Sequence, residues 1–356
     1  MVGMKLDGAG SSGFEEYLEE LRGLIEAAGG QVLASLVQAR RKPESASYIG
    51  RGKVEELKHL AQELDPDAVV FDRELSPIQL RNLEQALDIK VIDRTMLILD
   101  IFAQRARSRE GKLQVELAML QYRLPRLRGI GTQLSRLGAG IGTRGAGEQK
   151  LELDRRYIRR RIQEIKKQIE KLEATRELHR KQRQRSGIKT VSLVGYTNAG
   201  KSTLFNALCC IAHKSGSEQV QADQRLFQTL DTTTRRLDLS RHQQVLLTDT
   251  VGFIQELPPA LVAAFHSTLE EAVDADLLLH VIDISDRQYL DKIRVVEEVL
   301  EELGAEKDNI LNVFNKVDLL EQEPQTVGHG AVYLSARSGQ GLKKLLQAIR
   351  QRLDLD

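Results

Sequence analysis

The sequence predicts a mixed α/β chain in three consecutive parts: a small parallel α/β domain at 1–104, an antiparallel helical hairpin of coiled-coil type at 105–187, and a larger α/β domain at 188–356. Short apolar runs alternate with amphipathic helical runs in the first and last parts. Between them, two apolar seams with heptad spacing flank a basic, glycine-rich loop at 125–149. At about 100 to 200 residues per domain, 356 residues are enough for this organisation.

The first part predicts helices and strands in alternation. Helices are expected at 14–28, 50–64 and 76–87, the last with Ser76 as N-cap and Pro77 at its first position. Strands are expected at 31–39, 68–72 and 89–93. Because helices of ten or more residues separate the strands, we expect parallel pairing through right-handed crossovers.

The middle part predicts a projecting helical arm. Its apolar residues follow heptad spacing in two runs: Leu113, Leu117, Leu120 and Leu124, then Ile158, Ile162, Ile165, Ile169 and Leu172. The glycine-rich loop between the runs has neither a helical nor a strand period. The simplest arrangement is an antiparallel pair, whose second helix, 151–185, is about 50 Å long at 1.5 Å per residue.

Positive charge is concentrated on this arm. The whole chain carries 52 basic and 51 acidic side chains, so a polyanion site has to be local. Residues 123–186 contain 19 Lys and Arg against 7 Asp and Glu. A solvated helix face accounts for the alternating charges of 164–177, but not for the glycine-rich loop. The predicted RNA-binding residues there are Arg126, Arg128, Arg136, Arg144 and Lys150.

The kind of nucleic acid follows from the low aromatic content. Only 4% of the residues are aromatic, so few side chains are available to stack on unpaired bases. Structured RNA, recognised through its shape and phosphates, is therefore favoured over a sequence-specific single strand. No DNA partner is expected.

Several classes of protein are disfavoured. The first thirteen residues lack the apolar core of a signal peptide, and no window holds 18 uninterrupted apolar residues, so neither secretion nor a membrane partner is expected. Cys209 and Cys210 are neighbours and cannot form an ordinary long-range disulfide. The seven histidines do not recur at metal-ligand spacing, which argues against zinc. A cytoplasmic protein is expected, with a monomer as the default.

A phosphate-binding loop begins at Gly195. Residues 188–208 predict a β-branched strand, a segment with P-loop spacing at 195–202, and a helix. The glycines allow backbone amides to approach phosphates, and the helix N-terminus favours anions. Lys201 is predicted to bind the β and γ phosphates, and the Ser202 hydroxyl to bind the cofactor Mg²⁺. The last part is therefore predicted to be a Ras-like P-loop domain.

Residues 309–318 predict which base is bound. An apolar strand there ends in Asn315, Lys316, Val317 and Asp318. The Asp318 carboxylate can accept hydrogen bonds from the ring N–H and the amino group of guanine, whereas adenine offers an acceptor in their place. The aliphatic stem of Lys316 is long enough to cover the base plane. Ser335, Ala336 and Arg337 are expected to close over the guanine carbonyl with a backbone amide, so GTP and GDP are predicted over ATP.

Two segments are predicted to sense the γ-phosphate. Asp249 orients Mg²⁺ through water, and the Gly252 amide binds the γ-phosphate. The other segment, 226–236, offers three candidate Mg²⁺ ligands: Thr229, Thr233 and Thr234. The predicted GTP-binding residues are in full Gly195, Tyr196, Thr197, Asn198, Ala199, Gly200, Lys201, Ser202, Thr203, Phe227, Gln228, Thr229, Leu230, Asp231, Asp249, Thr250, Val251, Gly252, Asn315, Lys316, Val317, Asp318, Ser335, Ala336 and Arg337.

Catalysis is predicted to depend on Lys201, Gly252 and the position of Phe253. Many GTPases place a glutamine directly after this glycine to orient the attacking water, but the phenylalanine side chain can neither donate nor accept a hydrogen bond. Slow intrinsic hydrolysis and strong stimulation by a bound partner are therefore expected. The amide oxygen of Asn198 suggests K⁺ as a second cofactor, coordinated at the phosphates in place of an arginine finger.

Over nearly the whole chain, the order of motifs resembles the HflX family of GTPases. The segments that carry the resemblance are 48–57 (YIGRGKVEEL), 70–84 (VFDRELSPIQLRNLE), 91–127, 145–156 (GAGEQKLELDRR), 195–208 (GYTNAGKSTLFNAL), 226–231 (LFQTLD), 249–254 (DTVGFI) and 315–318 (NKVD). Two departures stand out: Thr232 replaces the usual proline, which removes a φ restraint, and segment 209–220 is unlike the usual pattern.

The resemblance implies a cytoplasmic GTPase that binds the large ribosomal subunit and its rRNA, with the N-terminal domain and hairpin inserted toward the peptidyl-transferase region. It implies a rescue or splitting factor for stalled or hibernating ribosomes under stress. It places the first-switch Mg²⁺ ligand at Thr229, ahead of Thr233 and Thr234, and Phe253 matches the family's apolar residue. The alternatives are an RNA-binding scaffold in which guanine nucleotide is a structural ligand, and a ribosome-assembly GTPase.

Overall fold

The structure is a computed structural model, and it describes residues 1–6, 11–127, 146–185, 187–212, 232–239, 243–255, 273–320 and 330–355. The chain forms two compact units. The first comprises residues 1–104 and 112–170, and the second comprises residues 105–111 and 171–356.

The first unit contains four short parallel strands. Strand β1 (Val2–Leu6) pairs with β2 (Leu36–Arg40), and β3 (Ala68–Val70) pairs with β4 (Lys90–Ile92). A parallel bridge between Val2 and Phe71 joins the two pairs. The helices are α1 (Ser11–Ala27), α2 (Arg51–Leu64), α3 (Pro77–Leu87) and α4 (Arg94–Arg105). The predicted small parallel α/β domain is confirmed.

Local signals place the α3 boundary correctly but miss one strand. Helix α3 begins with a capping box, in which the Ser76 hydroxyl accepts from Gln79 N and the Gln79 side chain accepts from Ser76 N. Strand β1 was not predicted, and β2 begins at Leu36 rather than at residue 31. Strand β1 is recognisable only through its non-local partners, because its sequence VGMKL has no strict alternation.

Two helices form the predicted antiparallel arm: α5 (Arg109–Arg126) and α6 (Ala146–Arg185). Arg161 pairs with Glu116 at 2.7 Å, and Arg176 pairs with Glu110 at 2.6 Å. Because the residue number falls along α6 as it rises along α5, the helices run in opposite directions. With 40 residues, α6 is about 60 Å long.

The buried face of the arm is wider than the predicted heptad seams. Leu113, Leu117, Ile162 and Ile165 are buried as the seams require. Gln114, Val115, Ala118 and Tyr122 are also buried, so α5 packs through a broad stripe rather than a narrow coiled-coil seam.

The second unit is built on a six-stranded sheet. Its strands are β5 (Lys189–Val194), β6 (Thr233–Asp238), β7 (Gln244–Asp249), β8 (Leu277–Asp283), β9 (Ile310–Asn315) and β10 (Val332–Tyr333). Their order is β10-β9-β8-β5-β7-β6, and all pairs are parallel except β6 with β7. The helices include α7 (Lys201–Ala212), α8 (Tyr289–Glu302) and α9 (Leu342–Arg352).

Register places the motifs at one edge of this sheet. Leu193 of β5 pairs with Asp249 of β7 and with Leu279 of β8, and Asp283 of β8 pairs with Asn315 of β9. The carboxyl ends of four neighbouring parallel strands therefore meet, and this edge is where ligands bind in open α/β sheets. A core of buried residues that includes Leu193, Leu247 and Val281 holds the strands in place.

Candidate nucleotide site

The phosphate-binding loop connects β5 to α7 and depends on two glycines. Gly195 has φ +147°, and a Cβ on it would lie 2.3 Å from the Val281 carbonyl oxygen. Gly200 has φ +91°, and its Cβ would lie 2.3 Å from Asn315 Nδ2. Backbone conformation and space therefore both exclude larger residues. Asn198 also has a positive φ, +61°, and its side chain is exposed.

Lys201 is held over the loop by backbone carbonyls. Its ammonium donates to Gly195 O at 3.0 Å and to Tyr196 O at 2.9 Å. Burial lowers the pKa of Lys201 to about 8, although the negative charge of Asp249 acts in the opposite direction. A nucleotide phosphate would supply further negative charge at this buried cation.

Ser202 and Asp249 form the oxygen pair expected at a Mg²⁺ site. The Ser202 hydroxyl donates to Asp249 Oδ2 at 2.7 Å, and Asp249 is fully buried. Thr250 fixes the strand end, since its hydroxyl donates to Leu193 O at 2.6 Å. A hydroxyl and a carboxylate at this spacing fit Mg²⁺, which prefers oxygen ligands. Among the described residues, Thr197 Oγ1 is buried without a hydrogen-bond partner, so this hydroxyl is available to form a hydrogen bond with a ligand bound at the loop.

Gly252 lies directly against the phosphate-binding loop. A Cβ on Gly252 would approach Lys201 Nζ to 2.9 Å and Thr197 Cγ2 to 2.8 Å. Phe253 is buried, with 1% of its surface exposed, and its amide donates to Gly195 O at 3.1 Å. Its carbonyl accepts from Thr197 N at 2.7 Å. Both polar groups of this residue are therefore used by the loop, and its side chain is in the interior.

Asn315 joins the base-recognition motif to the phosphate-binding loop. Its Nδ2 donates to Ala199 O at 2.8 Å, and its Oδ1 accepts from Ala336 N at 2.9 Å. The side chain is 2% exposed. Asn315 therefore fixes two loops relative to each other, and in this structure the Ala336 amide bonds to Asn315.

The other residues predicted to recognise the base lie around the end of β9. Lys316 adopts φ +67°, and its ammonium pairs with Asp283 at 2.6 Å. Asp318 is exposed in a short 3₁₀ helix, Val317–Leu319. The Ser335 hydroxyl accepts from Ser338 N at 3.1 Å and so shapes the turn that contains the exposed Arg337. Asp283 was not predicted, although its place at the end of the apolar run LLLHVID was a usable signal.

Family profiles match three consecutive segments of the chain. They are described as a GTP-binding GTPase N-terminal region at 15–103, a GTP-binding GTPase middle region at 105–183, and a 50S ribosome-binding GTPase at 190–316. The GTPase HflX of Caldanaerobacter subterraneus subsp. tengcongensis is 53% identical over 339 residues, which cover 95% of this chain and 77% of that relative. The chain belongs to the HflX family of GTPases. The GTPase HflX of Escherichia coli K12 is 45% identical over 344 residues, which cover 95% of this chain and 79% of that relative.

A solved structure of a GTP-binding protein is similar to this chain over nearly its whole length. The crystal structure of SsGBP with GDP covers 99% of this chain and 98% of that chain, at 25% identity and a TM-score of 0.55. The predicted P-loop GTPase domain and its GTP hydrolase activity are confirmed by membership of the HflX family together with the site described above.

Part of the predicted site lies outside the described residues of this HflX-family chain. This holds for Phe227, Gln228, Thr229, Leu230 and Asp231, and for Arg128, Arg136 and Arg144. Lys150 belongs to α6, but its side chain is also outside the described part. Thr233 and Thr234 lie in β6, where the Thr234 hydroxyl bonds to Thr248 Oγ1 at 3.0 Å.

The predicted RNA-binding residue Arg126 is largely buried in the first unit. Its side chain is 12% exposed and bonds to Glu74 (3.0 Å), Leu75 O (2.8 Å) and Asp93 (3.3 Å). The guanidinium also lies 3.3 Å from the centroid of the Tyr122 ring. The two terminal nitrogens and one face of the guanidinium are thus engaged inside the first unit, where Arg126 contributes to packing. Its role in RNA binding stays a prediction. Among the described helices, none combines the length and apolarity that a membrane crossing requires.

Proposed function

We propose that this GTPase binds GTP with Mg²⁺ and associates with the large ribosomal subunit through its N-terminal domain and basic hairpin. It acts there as a rescue, splitting or stress factor, with slow intrinsic hydrolysis that the ribosome stimulates. The observation that carries the nucleotide part is the arrangement of Lys201, Ser202, Asp249 and Asn315 around one loop. The match of residues 190–316 to a 50S ribosome-binding GTPase profile supports the ribosomal part.

Ser202 is the direct Mg²⁺ ligand in this proposal, and Asp249 holds the ion through water. Thr229 supplies the ligand from the first switch. The ion would neutralise charge on the β and γ phosphates. Asn198 is a candidate ligand for K⁺, because its positive φ and exposed side chain allow its amide oxygen to reach a phosphate-bound cation. Comparing single-turnover rates in K⁺ and Na⁺ at matched ionic strength tests that assignment.

Guanine selection rests on Asp318 and on the two contacts that hold its motif. Asn315 is fixed to Ala199 and Ala336, and Lys316 is fixed to Asp283, so the exposed Asp318 carboxylate is presented by a constrained segment. Calorimetry with GTP and ATP is the test. Equal affinity for the two nucleotides would contradict guanine selection.

Stimulation by a partner follows from the position of Phe253. Its side chain is buried and apolar, and its backbone groups bond to the loop, so it cannot orient water as a glutamine does. Hydrolysis without ribosomes is therefore expected to be slow. Turnover that does not change on addition of large subunits would contradict the proposed stimulation.

Ribosome binding is assigned to the hairpin because of its charge. Besides the loop residues Arg136 and Arg144, the described helix α6 exposes Arg156, Arg159 and Arg160. Such side chains bind a phosphate backbone and release counterions. The profile limits 15–103, 105–183 and 190–316 support the proposed domains 1–104, 105–187 and 188–356. A cytoplasmic location fits this partner.

Sedimentation with large subunits tests the ribosomal role. The variant Arg136→Glu, Arg144→Glu is compared with Arg294→Glu, Lys307→Glu, which reverses two exposed charges of the second unit. We expect the first pair to lower co-sedimentation at least tenfold and the second to leave it unchanged, with basal GTP hydrolysis intact in both. Binding that is the same with GTP, GDP and a non-hydrolysable analogue would favour the scaffold alternative.

A further inference from the structure

Tyr196 connects the phosphate-binding loop to the residues that follow Gly252. The backbone of Phe253 brackets this tyrosine, because its amide donates to Gly195 O and its carbonyl accepts from Thr197 N. Two residues further on, Gln255 N donates to the Tyr196 hydroxyl at 2.8 Å. Three hydrogen bonds therefore hold residues 253–255 against the loop, and one of them uses a side chain of the loop.

The same tyrosine also contacts Lys201 and helix α8. Its carbonyl accepts from the Lys201 ammonium at 2.9 Å. The Lys292 ammonium lies 4.8 Å from the centroid of its ring, a cation–π contact, and pairs with Asp286. The residue is 6% exposed, so these contacts are made in a largely desolvated place.

The position of the Gly252 backbone depends on this arrangement. Gly252 lies against Lys201 Nζ and Thr197, with no room for a side chain. Phe253 cannot orient water, since its side chain is buried. Any contact between the Gly252 amide and a γ-phosphate would therefore depend on where the backbone of 252–255 is held, and Gln255 is the outermost residue of the three-bond contact.

We propose that Tyr196 is a positioning residue for GTP hydrolysis. Its hydroxyl holds Gln255, and through Phe253 it keeps the Gly252 amide aligned with Lys201. Because the hydroxyl accepts from Gln255 in the segment after Gly252, its expected contribution is to the hydrolysis rate rather than to nucleotide affinity. The loss of one neutral hydrogen bond corresponds to an effect of about fivefold.

The variant Tyr196→Phe tests this in the full chain, because it removes the hydroxyl and leaves the ring under Lys292. Single-turnover hydrolysis is measured without ribosomes, so the result does not depend on the proposed ribosomal role. We expect the maximal rate to fall about fivefold, while the half-saturating GTP concentration and the GDP affinity change less than twofold. The control is Tyr289→Phe, which removes a hydroxyl in the same unit from a ring packed edge-on against Phe314.

Hydrogen exchange of the Gln255 amide provides a second readout. Exchange at this amide should be faster in Tyr196→Phe than in the parent protein or in Tyr289→Phe. Four results would overturn the proposal: unchanged Gln255 exchange, an unchanged hydrolysis rate despite faster exchange, a faster rate, or a parallel loss of rate, affinity and melting temperature. The last of these would reveal a structural role only.

Discussion

Acid is expected to destabilise the second unit through His280. This imidazole lies in the middle of β8, is 1% exposed, and faces its register partner Asn312 on β9. Burial is the main cause that lowers the pKa of His280 from 6.5 to about 4; proximity to Asn312 acts in the opposite direction, and the Lys201 charge adds to the lowering. The folded sheet therefore contains the neutral imidazole at pH 7.

Below pH 6.5 the His280 imidazole is protonated in the unfolded chain, whereas in the folded chain it stays neutral down to about pH 4. The stabilisation is therefore complete above pH 6.5 and is lost as the pH falls toward 4. Since a difference of one between the two pKa values is worth about 1.4 kcal/mol, the difference between 6.5 and about 4 is worth at most about 3.5 kcal/mol in stability. About 2 kcal/mol of this falls between pH 7 and pH 5.

Urea unfolding of the parent protein and of His280→Gln at pH 7 and pH 5 measures how much stability the second unit loses between these pH values. The transition of the second unit is the one that GDP shifts to higher urea. The parent is expected to lose about 2 kcal/mol more than the variant between the two pH values. The buried carboxyls Asp72 and Asp93, whose pKa values are raised by burial, belong to the first unit and act on its transition. An equal loss in parent and variant would show that His280 does not cause the loss of stability in acid.

Three further changes have expected outcomes. Gly200→Ala puts a Cβ 2.3 Å from Asn315 Nδ2, so calorimetry should show GDP binding at least tenfold weaker, whereas Gly52→Ala, with open space around it, should not change binding. Asn315→Ala leaves the buried Ala336 N–H and Ala199 carbonyl without this partner and should cost about 2 kcal/mol or more in urea unfolding, unlike Asn309→Ala on the surface. Arg126→Gln breaks the ion pairs with Glu74 and Asp93 and should lower the free energy of unfolding of the first unit by about 2 kcal/mol. The salt dependence of RNA binding should not change. If RNA affinity instead became less dependent on salt while stability stayed the same, Arg126 would be an RNA contact.

Structural roles that are set by a residue's immediate neighbours in the chain could be predicted from the sequence. The spacing of 195–202 fixes a tight loop between a strand and a helix, and the structure requires glycine at both Gly195 and Gly200. Ser76, Pro77 and Gln79 fix the start of α3 in the same way. The periodicity of the arm predicts its two helices, because burial of a helix face repeats with the turn of the same helix.

Structural roles that depend on contacts across the fold could not be predicted in this way. Arg126 looked like part of a basic loop, but Glu74 and Asp93, more than 30 residues away in the chain, pair with its guanidinium. Residues 2–6 form strand β1 because they pair with β2 and because Val2 forms a bridge with Phe71. Gln114 is fully buried on α5, although the heptad spacing of the leucines does not include it. No local pattern encodes such partners.

Asn315 connects the loop predicted to bind the phosphates with the loop predicted to close over the base. Its side chain bonds at one end to the phosphate-binding loop and at the other to the loop expected over the base, while its neighbour Lys316 pairs with Asp283. A shift of either loop therefore disturbs the other loop through the Asn315 side chain. Because this side chain is 2% exposed, water cannot replace a hydrogen bond that it loses. The losses of GDP-binding free energy caused by changes at the two loops should therefore not add up. In a double-mutant cycle, the variant that combines Asn315→Ala with Gly200→Ala should lose less GDP-binding free energy than the sum of the two single variants. The reason is that both changes break the same contact with Ala199.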